Sequence, residues 1–359
     1  MLRPSGAFIL LTLCLCTTRA GICGGRAERW READALFTRD PRWLGGDGAS
    51  SIDLGNDRVL WLFGDSFVGT DSSGVRSKAT FVRNSIAVQN GRDPTTAAMH
   101  YYWGETRDGP HAFFSPGENH WYWPGHGIRV GGILIIFLMK VRAVGREPGF
   151  EVCGSNAVRI DNPDDPPDAW KIAHLPEMQT PPGVVVGSAA VIRNDGMIHA
   201  FCVREPDTHE VYVVRWSSSD LCDGNWLSSE WWTREGWKQG QVVPETLFTG
   251  ATEFSVNYLP RRHQFIQVQA SGYGHANVTL RCATMLQGPW SEPLTIFAPV
   301  EFYTPGSLIY AAKAHPELGE EPLIVTFNIN NTDSRELLNN QHIYYPRVLR
   351  LWLGFRQEQ

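Results

Sequence analysis

The sequence predicts an all-β protein, and more narrowly a five-bladed β-propeller. A short apolar run that follows a turn recurs at roughly 60–75-residue intervals, as is typical of propeller blades. The five runs are residues 59–63, 133–137, 197–201, 264–268 and 323–327. A further strand-like stretch follows each run, and residues 28–37 are the only helix candidate. A pair of β-sandwiches is the alternative, but it does not explain the repeated turn and run.

The first unit predicts a β-hairpin that brings two aspartates together. Gly55, Asn56 and Asp57 tolerate the positive φ angles of tight turns, and residues 59–63 are typical of a buried strand. A turn centred on Asn56 pairs Leu54 with Arg58 and, further out, Asp47 with Asp65. Directly paired residues share one face with Cα atoms ~4.5–5.5 Å apart, and a slip of one residue would separate them. The alternative is that each aspartate only caps a turn.

The N-terminus and the composition indicate an exported protein. Residues 1–20 carry an early arginine, an apolar core too short to anchor the chain, and a small residue for cleavage near Ala20. We therefore expect a secreted or periplasmic monomer without a membrane anchor. The formal net charge of -6 and the absence of a basic run argue against nucleic acid as a partner. The predicted organisation is a signal peptide at 1–20, a leader at 21–42 and one propeller domain at 43–356.

Five cysteines remain after cleavage: Cys23, Cys153, Cys202, Cys222 and Cys282. Export permits disulfides, but an odd count leaves at least one thiol unpaired. The spacing matches no zinc or redox motif, so no cofactor is required. Carboxylates in a central channel would allow Ca²⁺, although no spacing specifies it.

Propeller topology groups residues that are distant in the sequence. The first strand of each blade begins, and the second ends, on one face, so the residues at those points should surround a central pocket. The acidic members, and our candidate catalytic residues, are Asp47, Asp65, Glu205 and Glu253. The candidate substrate-binding residues are Arg83, Asn84, Trp123, His126, Ser188, Arg204, Tyr303, Asn328 and Asn330. For each of them, structural hydrogen bonding, core packing or a solvated strand end is the alternative.

Several motifs resemble the domain of unknown function 4185 family. They include 46–49, 60–66, 83–88, 123–125, 252–258, 313–316 and 343–347, and the resemblance extends from about residue 43 to 354. It implies an exported five-bladed propeller related to glycoside hydrolase family 183, with endo-D-arabinanase activity. It also implies that Asp47 and Asp65 are the catalytic carboxylates. His126 departs from the pattern, because an acidic residue is expected after Trp-Pro-Gly.

We therefore expect a glycoside hydrolase that acts on a polysaccharide, with arabinan as the candidate substrate. Most glycosidases use two carboxyl groups, ~5–5.5 Å apart in retaining enzymes and ~6.5–9.5 Å apart in inverting ones. Glu205 or Glu253 would serve as a further acid or would modulate the pKa of the pair. A carbohydrate-binding propeller without catalysis and a scaffold protein with a closed apolar channel are the alternatives.

Overall fold

The structure is a computed structural model that describes residues 24–69, 71, 73–117, 119–146, 149–206 and 208–354. The predicted signal peptide and Cys23 lie outside these residues. Among the described cysteines, Cys282 is disulfide-bonded, whereas Cys153, Cys202 and Cys222 are free thiols.

Strands dominate the described part of the chain. In chain order they are β1 Gly25–Arg29, β2 Trp43–Gly46, β3 Ser50–Gly55, β4 Arg58–Phe63, β5 Ser66–Val68, β6 Thr80–Val82, β7 Ser85–Asn90, β8 Ala98–Tyr102, β9 Gly104–Thr106, β10 Gly109–His111, β11 Trp121–Val130, β12 Ile133–Ala143, β13 Phe150–Ile160, β14 Ile172–His174, β15 Val184–Asn194, β16 Met197–Arg204, β17 Glu210–Trp216, β18 Glu230–Thr233, β19 Gly236–Gln239, β20 Phe248–Thr249, β21 Phe254–Leu259, β22 Gln264–Ser271, β23 Asn277–Ala283, β24 Leu294–Phe297, β25 Ser307–Ala314, β26 Leu323–Asn331 and β27 Arg347–Leu353.

The helices are short. The α-helices of the described residues are α1 Ser218–Asp223 and α2 Ser334–Asn339. Single 3₁₀ turns are found at Ala33–Phe37, Arg76–Lys78, Pro167–Ala169, Trp226–Ser228, Pro260–Arg262, Val300–Phe302 and Pro316–Leu318. None of the helices in the described ranges is long and apolar enough to cross a membrane.

Antiparallel pairing joins these strands into five sheets of four or more strands and two smaller ones within the described residues. Sheet one has the order β3-β4-β7-β8, sheet two β11-β12-β13-β14, and sheet three β15-β16-β17-β18-β19 with β20 beside β17. Sheet four has the order β21-β22-β23-β24, and sheet five β25-β26-β27-β1. The smaller sheets are β2-β5-β6 and β9-β10.

The all-β prediction is confirmed, and the five apolar runs lie in the second strands β4, β12, β16, β22 and β26. These runs are largely apolar because the second strands are buried on both faces, and three of their polar members are buried too: His199, Gln267 and Thr326. In β4, Trp61 packs with Ile324 of sheet five, whereas Leu60 and Leu62 pack with Leu134 of sheet two. Burying each such side chain contributes about 1.5–3 kcal/mol.

The predicted leader supplies a strand instead of a helix. β1 pairs with β27 and so completes sheet five with residues from the other end of the chain. An ion pair of 2.7 Å between Glu28 and Arg350 adds to this pairing, and Ala33–Phe37 forms a single 3₁₀ turn. The helical pattern at 28–37 is therefore not realised, because the backbone of 25–29 hydrogen-bonds to β27.

The first hairpin adopts the predicted register over most of its length. Ser50 pairs with Leu62 and Ile52 with Leu60, and Asn56 has the expected positive φ of 52°. Next to the turn the structure differs, because a bulge pairs Gly55 instead of Leu54 with Arg58.

The first strands of consecutive sheets contact one another in the order β3, β11, β15, β21 and β25. Sheet five returns to sheet one through a hydrogen bond of 2.5 Å between His315 Nδ1 and Ser51 Oγ. Together these five strands line a cavity of about 290 Å³, called here the channel cavity.

Candidate active site

Asp47 and Asp65 lie opposite each other where the chain passes between β2 and sheet one. Gly46 pairs with Ser66, the amide of Asp47 donates to the carbonyl oxygen of Asp65 at 3.3 Å, and the amide of Gly64 donates to the carbonyl oxygen of Asp47 at 2.9 Å. Both side chains are only partly exposed. The structure thus brings together the two carboxyl groups that the hairpin register predicts to be neighbours.

The carboxyl group of Asp47 is held by tyrosines from sheet five and the segment that precedes β27. Its Oδ2 accepts hydrogen bonds from Tyr310 at 2.8 Å and Tyr344 at 3.3 Å. Burial, together with the charges of Asp65 and Glu253, raises the pKa of Asp47 to about 8, against the opposing effect of the Tyr310 hydrogen bond. Asp47 therefore favours the protonated form at neutral pH.

Asp65 has a different environment. Its Oδ1 accepts from Trp123 Nε1 at 2.8 Å, and its Oδ2 lies 3.3 Å from Arg83 Nη1. Burial raises the pKa of Asp65 to about 6, while these hydrogen bonds and the Arg83 charge oppose the rise. Asp65 therefore ionises more readily than Asp47, and the pair can hold one proton between pH 6 and 8.

A third carboxylate and a buried lysine lie beside Asp47. Lys313 Nζ donates to Glu253 Oε1 at 2.8 Å and to the carbonyl oxygen of Gly48 at 2.5 Å. The Lys313 side chain is 2% exposed. Of the two further acids predicted for the site, Glu253 thus contributes its charge to Asp47.

The space for Asp47 depends on a glycine. A Cβ atom placed on Gly64 would lie 2.6 Å from Asp47 Oδ1. Because Oδ2 already accepts from two tyrosine hydroxyls, Oδ1 is the oxygen that can carry a transferable proton.

An aromatic wall borders Asp65. Trp123 packs edge-on against Trp121 and against Phe150, which is 37% exposed. The Arg83 guanidinium lies over the Trp121 ring, 4.2 Å from its centroid. Half-buried and exposed rings beside carboxyl groups suit the apolar faces of sugar rings.

Four other predicted residues have hydrogen-bond or ion-pair partners outside the carboxyl pair: Glu205, Arg204, Tyr303 and Asn330. Glu205 pairs with His209 at 3.3 Å, and Arg204 pairs with Glu210 at 3.1 Å and Tyr212 at 3.0 Å. The Tyr303 hydroxyl donates to Asn277 Oδ1 at 2.8 Å, and Asn330 Oδ1 accepts from the amide of Asn331 at 2.7 Å.

The side chains of Asn84 and His126 hydrogen-bond to backbone groups. The side-chain amide of Asn84 is satisfied by backbone groups of Phe114 and Tyr122. His126 Nδ1 accepts from the amide of Val191 at 3.0 Å, and its Nε2 donates to the carbonyl oxygen of Ser51 at 3.0 Å. Burial lowers the pKa of His126 to about 4, so this neutral side chain lines the channel cavity instead of the carboxyl pair.

Two predicted polar residues, Asn328 and Ser188, are buried. Asn328 donates to the carbonyl oxygen of Gly46 at 3.2 Å and so fixes the strand before Asp47. Ser188 is 1% exposed, and its hydroxyl has no hydrogen-bond partner within the described residues.

The described ranges contain no group of three or more His, Cys, Asp or Glu residues placed to hold a metal ion.

Sequence reasoning missed Tyr310, Lys313 and Tyr344 as site residues. Lys313 and Tyr344 fall in motifs quoted for the family resemblance, but no local spacing relates them to Asp47. A strand-pairing pattern gives the partners of one hairpin and not the contacts between distant sheets.

The described residues thus define an all-β protein in which two partly exposed aspartates lie opposite each other between β2 and sheet one. Residues 31–352 match the model of the family described as "Domain of unknown function (DUF5005)", and the chain belongs to that family. This match corrects the assignment from motifs, which named the domain of unknown function 4185 family. No curated protein matches the chain.

Solved structures share the fold. A "putative hydrolase" from Bacteroides ovatus is similar with a TM-score of 0.72 and 18% identity, over 91% of this chain and 90% of that chain. An endo-arabinase from Bacteroides thetaiotaomicron has a TM-score of 0.50 and 13% identity, over 86% and 95% of the two chains. An α-L-arabinofuranosidase from Lactobacillus brevis has a TM-score of 0.50 and 10% identity, over 87% and 91%.

Proposed function

We propose that this protein is a glycoside hydrolase that cleaves a polysaccharide, with an arabinose-containing polymer as the candidate substrate. The observation that carries the proposal is the Asp47–Asp65 pair, whose members face each other in environments that separate their pKa values. Such a separation assigns acid and base roles to two carboxyl groups. The fold shared with an endo-arabinase and an α-L-arabinofuranosidase supports arabinose as the sugar to test first.

In this proposal Asp47 is the general acid. Its Oδ1 gives a proton to the glycosidic oxygen as the bond to the anomeric carbon breaks. Asp65, held as a carboxylate by Trp123 and Arg83, either removes a proton from the attacking water or attacks the anomeric carbon itself. Positioned proton transfer of this kind contributes about 10²- to 10⁴-fold to rate.

We also propose that the five large sheets are the blades of a five-bladed propeller. The contacts between successive first strands and the hydrogen bonds from sheet five to sheet one support a closed ring. The proposal extends to export after cleavage near Ala20 and to a monomer that binds carbohydrate and no nucleic acid. No cofactor is required for this chemistry.

The test is incubation of the purified protein with a panel of linear arabinan, branched arabinan, arabinogalactan, xylan and galactan. Chromatography of the soluble products should show sugars released from an arabinose-containing polymer. The Asp47→Asn/Asp65→Asn double variant, prepared in parallel, detects contaminating hydrolases. Absence of release from every polymer by the folded protein would overturn the proposal.

A carbohydrate-binding protein without catalysis is the second candidate, and the aromatic wall of Trp121, Trp123 and Phe150 favours it. Affinity electrophoresis in gels containing each polymer separates the two functions. Retardation without product release identifies the binding protein, whereas release identifies the hydrolase.

A further inference from the structure

Lys313 is a buried cation at the centre of the molecule. It lies on β25, and its ammonium group contacts the Glu253 carboxylate and the Gly48 carbonyl oxygen. Lysine is almost never fully buried unless it is paired, because removing the charge from water costs free energy. A buried lysine beside a carboxyl pair therefore calls for a role beyond packing.

The backbone that Lys313 contacts is a sharp turn directly after Asp47. Gly48 has φ of 85° and Ala49 has φ of 48°, a conformation that is uncommon for a residue with a Cβ atom. Holding a non-glycine residue there costs free energy and requires support from the surroundings. The carbonyl oxygen of Asp47 accepts from the amides of Ala49 at 3.1 Å and Gly64 at 2.9 Å.

The hydrogen bond from Lys313 fixes the peptide between Gly48 and Ala49. The same ammonium holds Glu253, whose Oε1 lies 3.5 Å from where a Cβ atom on Gly48 would be. Sheet four, sheet five and the turn after Asp47 therefore meet at one nitrogen atom. Loss of that atom would leave a carboxylate, a carbonyl group and a strained turn without their common partner.

We propose that Lys313 is the positioning residue that aims the Asp47 carboxyl group by pinning the Gly48–Ala49 peptide and Glu253. This role rests on the glycoside hydrolase function proposed above. Lys313 does not touch the scissile bond in this account. It acts through the direction of the Asp47 main chain and through the nearby positive charge.

The channel cavity makes the role testable by chemical rescue. Lys313 lines this cavity of about 290 Å³ together with Ser51, Ser255 and Asn257. Truncation to alanine would therefore leave a space continuous with the cavity, into which a small alkylammonium ion could enter.

The experiment compares Lys313→Met and Lys313→Ala with Lys238→Ala, a control on the half-exposed strand β19. We expect Lys313→Met to lower kcat about 10²-fold, because the Asp47 carboxyl group would be misplaced. KM should stay within about threefold of the wild-type value. Added ethylammonium should raise the kcat of Lys313→Ala at least about tenfold, whereas KCl at equal ionic strength should leave that kcat unchanged. A folded Lys313→Met with unchanged kcat, or an alanine variant that responds equally to both salts, would overturn the proposal.

A second measurement does not depend on catalysis. Carbon-detected NMR of the Asp47 carboxyl group should show a higher pKa in Lys313→Met, because the Lys313 charge lowers that pKa. If the wild-type protein hydrolyses no polysaccharide, the proposed function fails and this titration alone decides the role of Lys313. An unchanged Asp47 titration in a folded variant would reject it. If Lys313→Met does not fold, Lys313→Gln, which removes the charge but keeps a polar donor, is titrated in its place, with the same rise in the Asp47 pKa expected.

Discussion

The Tyr310 hydroxyl donates a hydrogen bond of 2.8 Å to Asp47 Oδ2, although the two residues are 263 positions apart in the chain. Tyr344, later still, donates to the same oxygen and to the carbonyl oxygen of Asp65 at 3.1 Å. The carboxyl pair is therefore completed only when sheet five docks against sheet one.

The first prediction concerns this hydrogen bond. Tyr310→Phe removes an interaction that lowers the Asp47 pKa, so that pKa should rise and the alkaline limb of the pH–rate profile should move to higher pH. We expect kcat to fall about tenfold through looser placement of the acid. Tyr258→Phe, at a 41% exposed position, is the control. An alkaline limb that moves to lower pH would contradict the assignment.

The second prediction is a bell-shaped pH dependence of hydrolysis. Activity should fall below about pH 6, where Asp65 becomes protonated, and above about pH 8, where Asp47 loses its proton. Because Arg83 lowers the Asp65 pKa, Arg83→Met should move the acidic limb to higher pH. Initial rates in buffers of constant ionic strength measure both limbs. A profile that rises continuously to pH 10 would exclude Asp47 as the acid.

The third prediction tests the space around Asp47. Gly64→Ala places a methyl group 2.6 Å from Asp47 Oδ1, so the carboxyl group must move. Displacement of about 1 Å costs about 10²-fold in rate, and we expect that loss in kcat. In Gly132→Ala the added methyl group meets nothing within 4 Å, and its activity should be unchanged. Equal activities of the two variants would show that Asp47 does not need its observed position.

The fourth prediction concerns stability. Arg76 is fully buried, and its guanidinium donates to the carbonyl oxygens of Leu44, Leu337, Asn340 and Ile343. Arg76→Met leaves these acceptors without a donor, so the free energy of unfolding should fall by at least about 3 kcal/mol. Denaturant titration measures the loss.

The matched control for Arg76 is Arg261→Met, because the Arg261 side chain is 74% exposed. Its free energy of unfolding should stay within about 0.5 kcal/mol of wild type. An Arg76→Met variant as stable as this control would show that the four carbonyl groups find other partners.

The sequence predicts the features that arise within one hairpin or one strand. Turn chemistry at Asn56 fixes the register that places Asp47 opposite Asp65, and the recurring, largely apolar runs mark strands buried on both faces. Contacts between distant sheets carry no such local pattern, so Tyr310 and Tyr344 were not predicted.

His126 is a second example of a tertiary contact that the sequence pattern did not predict. Its place at the start of the second unit predicted a residue that shares a pocket with the carboxyl pair. A bulge between Pro124 and Gly127 instead lets its ring bond the backbone at Ser51 and Val191, in the channel cavity. The bulge depends on tertiary packing, and the periodicity of the strand does not reveal it.

The most direct test is the turnover of Asp47→Asn and Asp65→Asn on the best polymer of the panel, beside Asp57→Asn, whose side chain is 83% exposed. Each of the first two variants should lose at least about 10³-fold in kcat while keeping its melting temperature and its affinity for the polymer. Asp57→Asn should match the wild-type protein. Undiminished hydrolysis by either Asp47→Asn or Asp65→Asn would contradict the account.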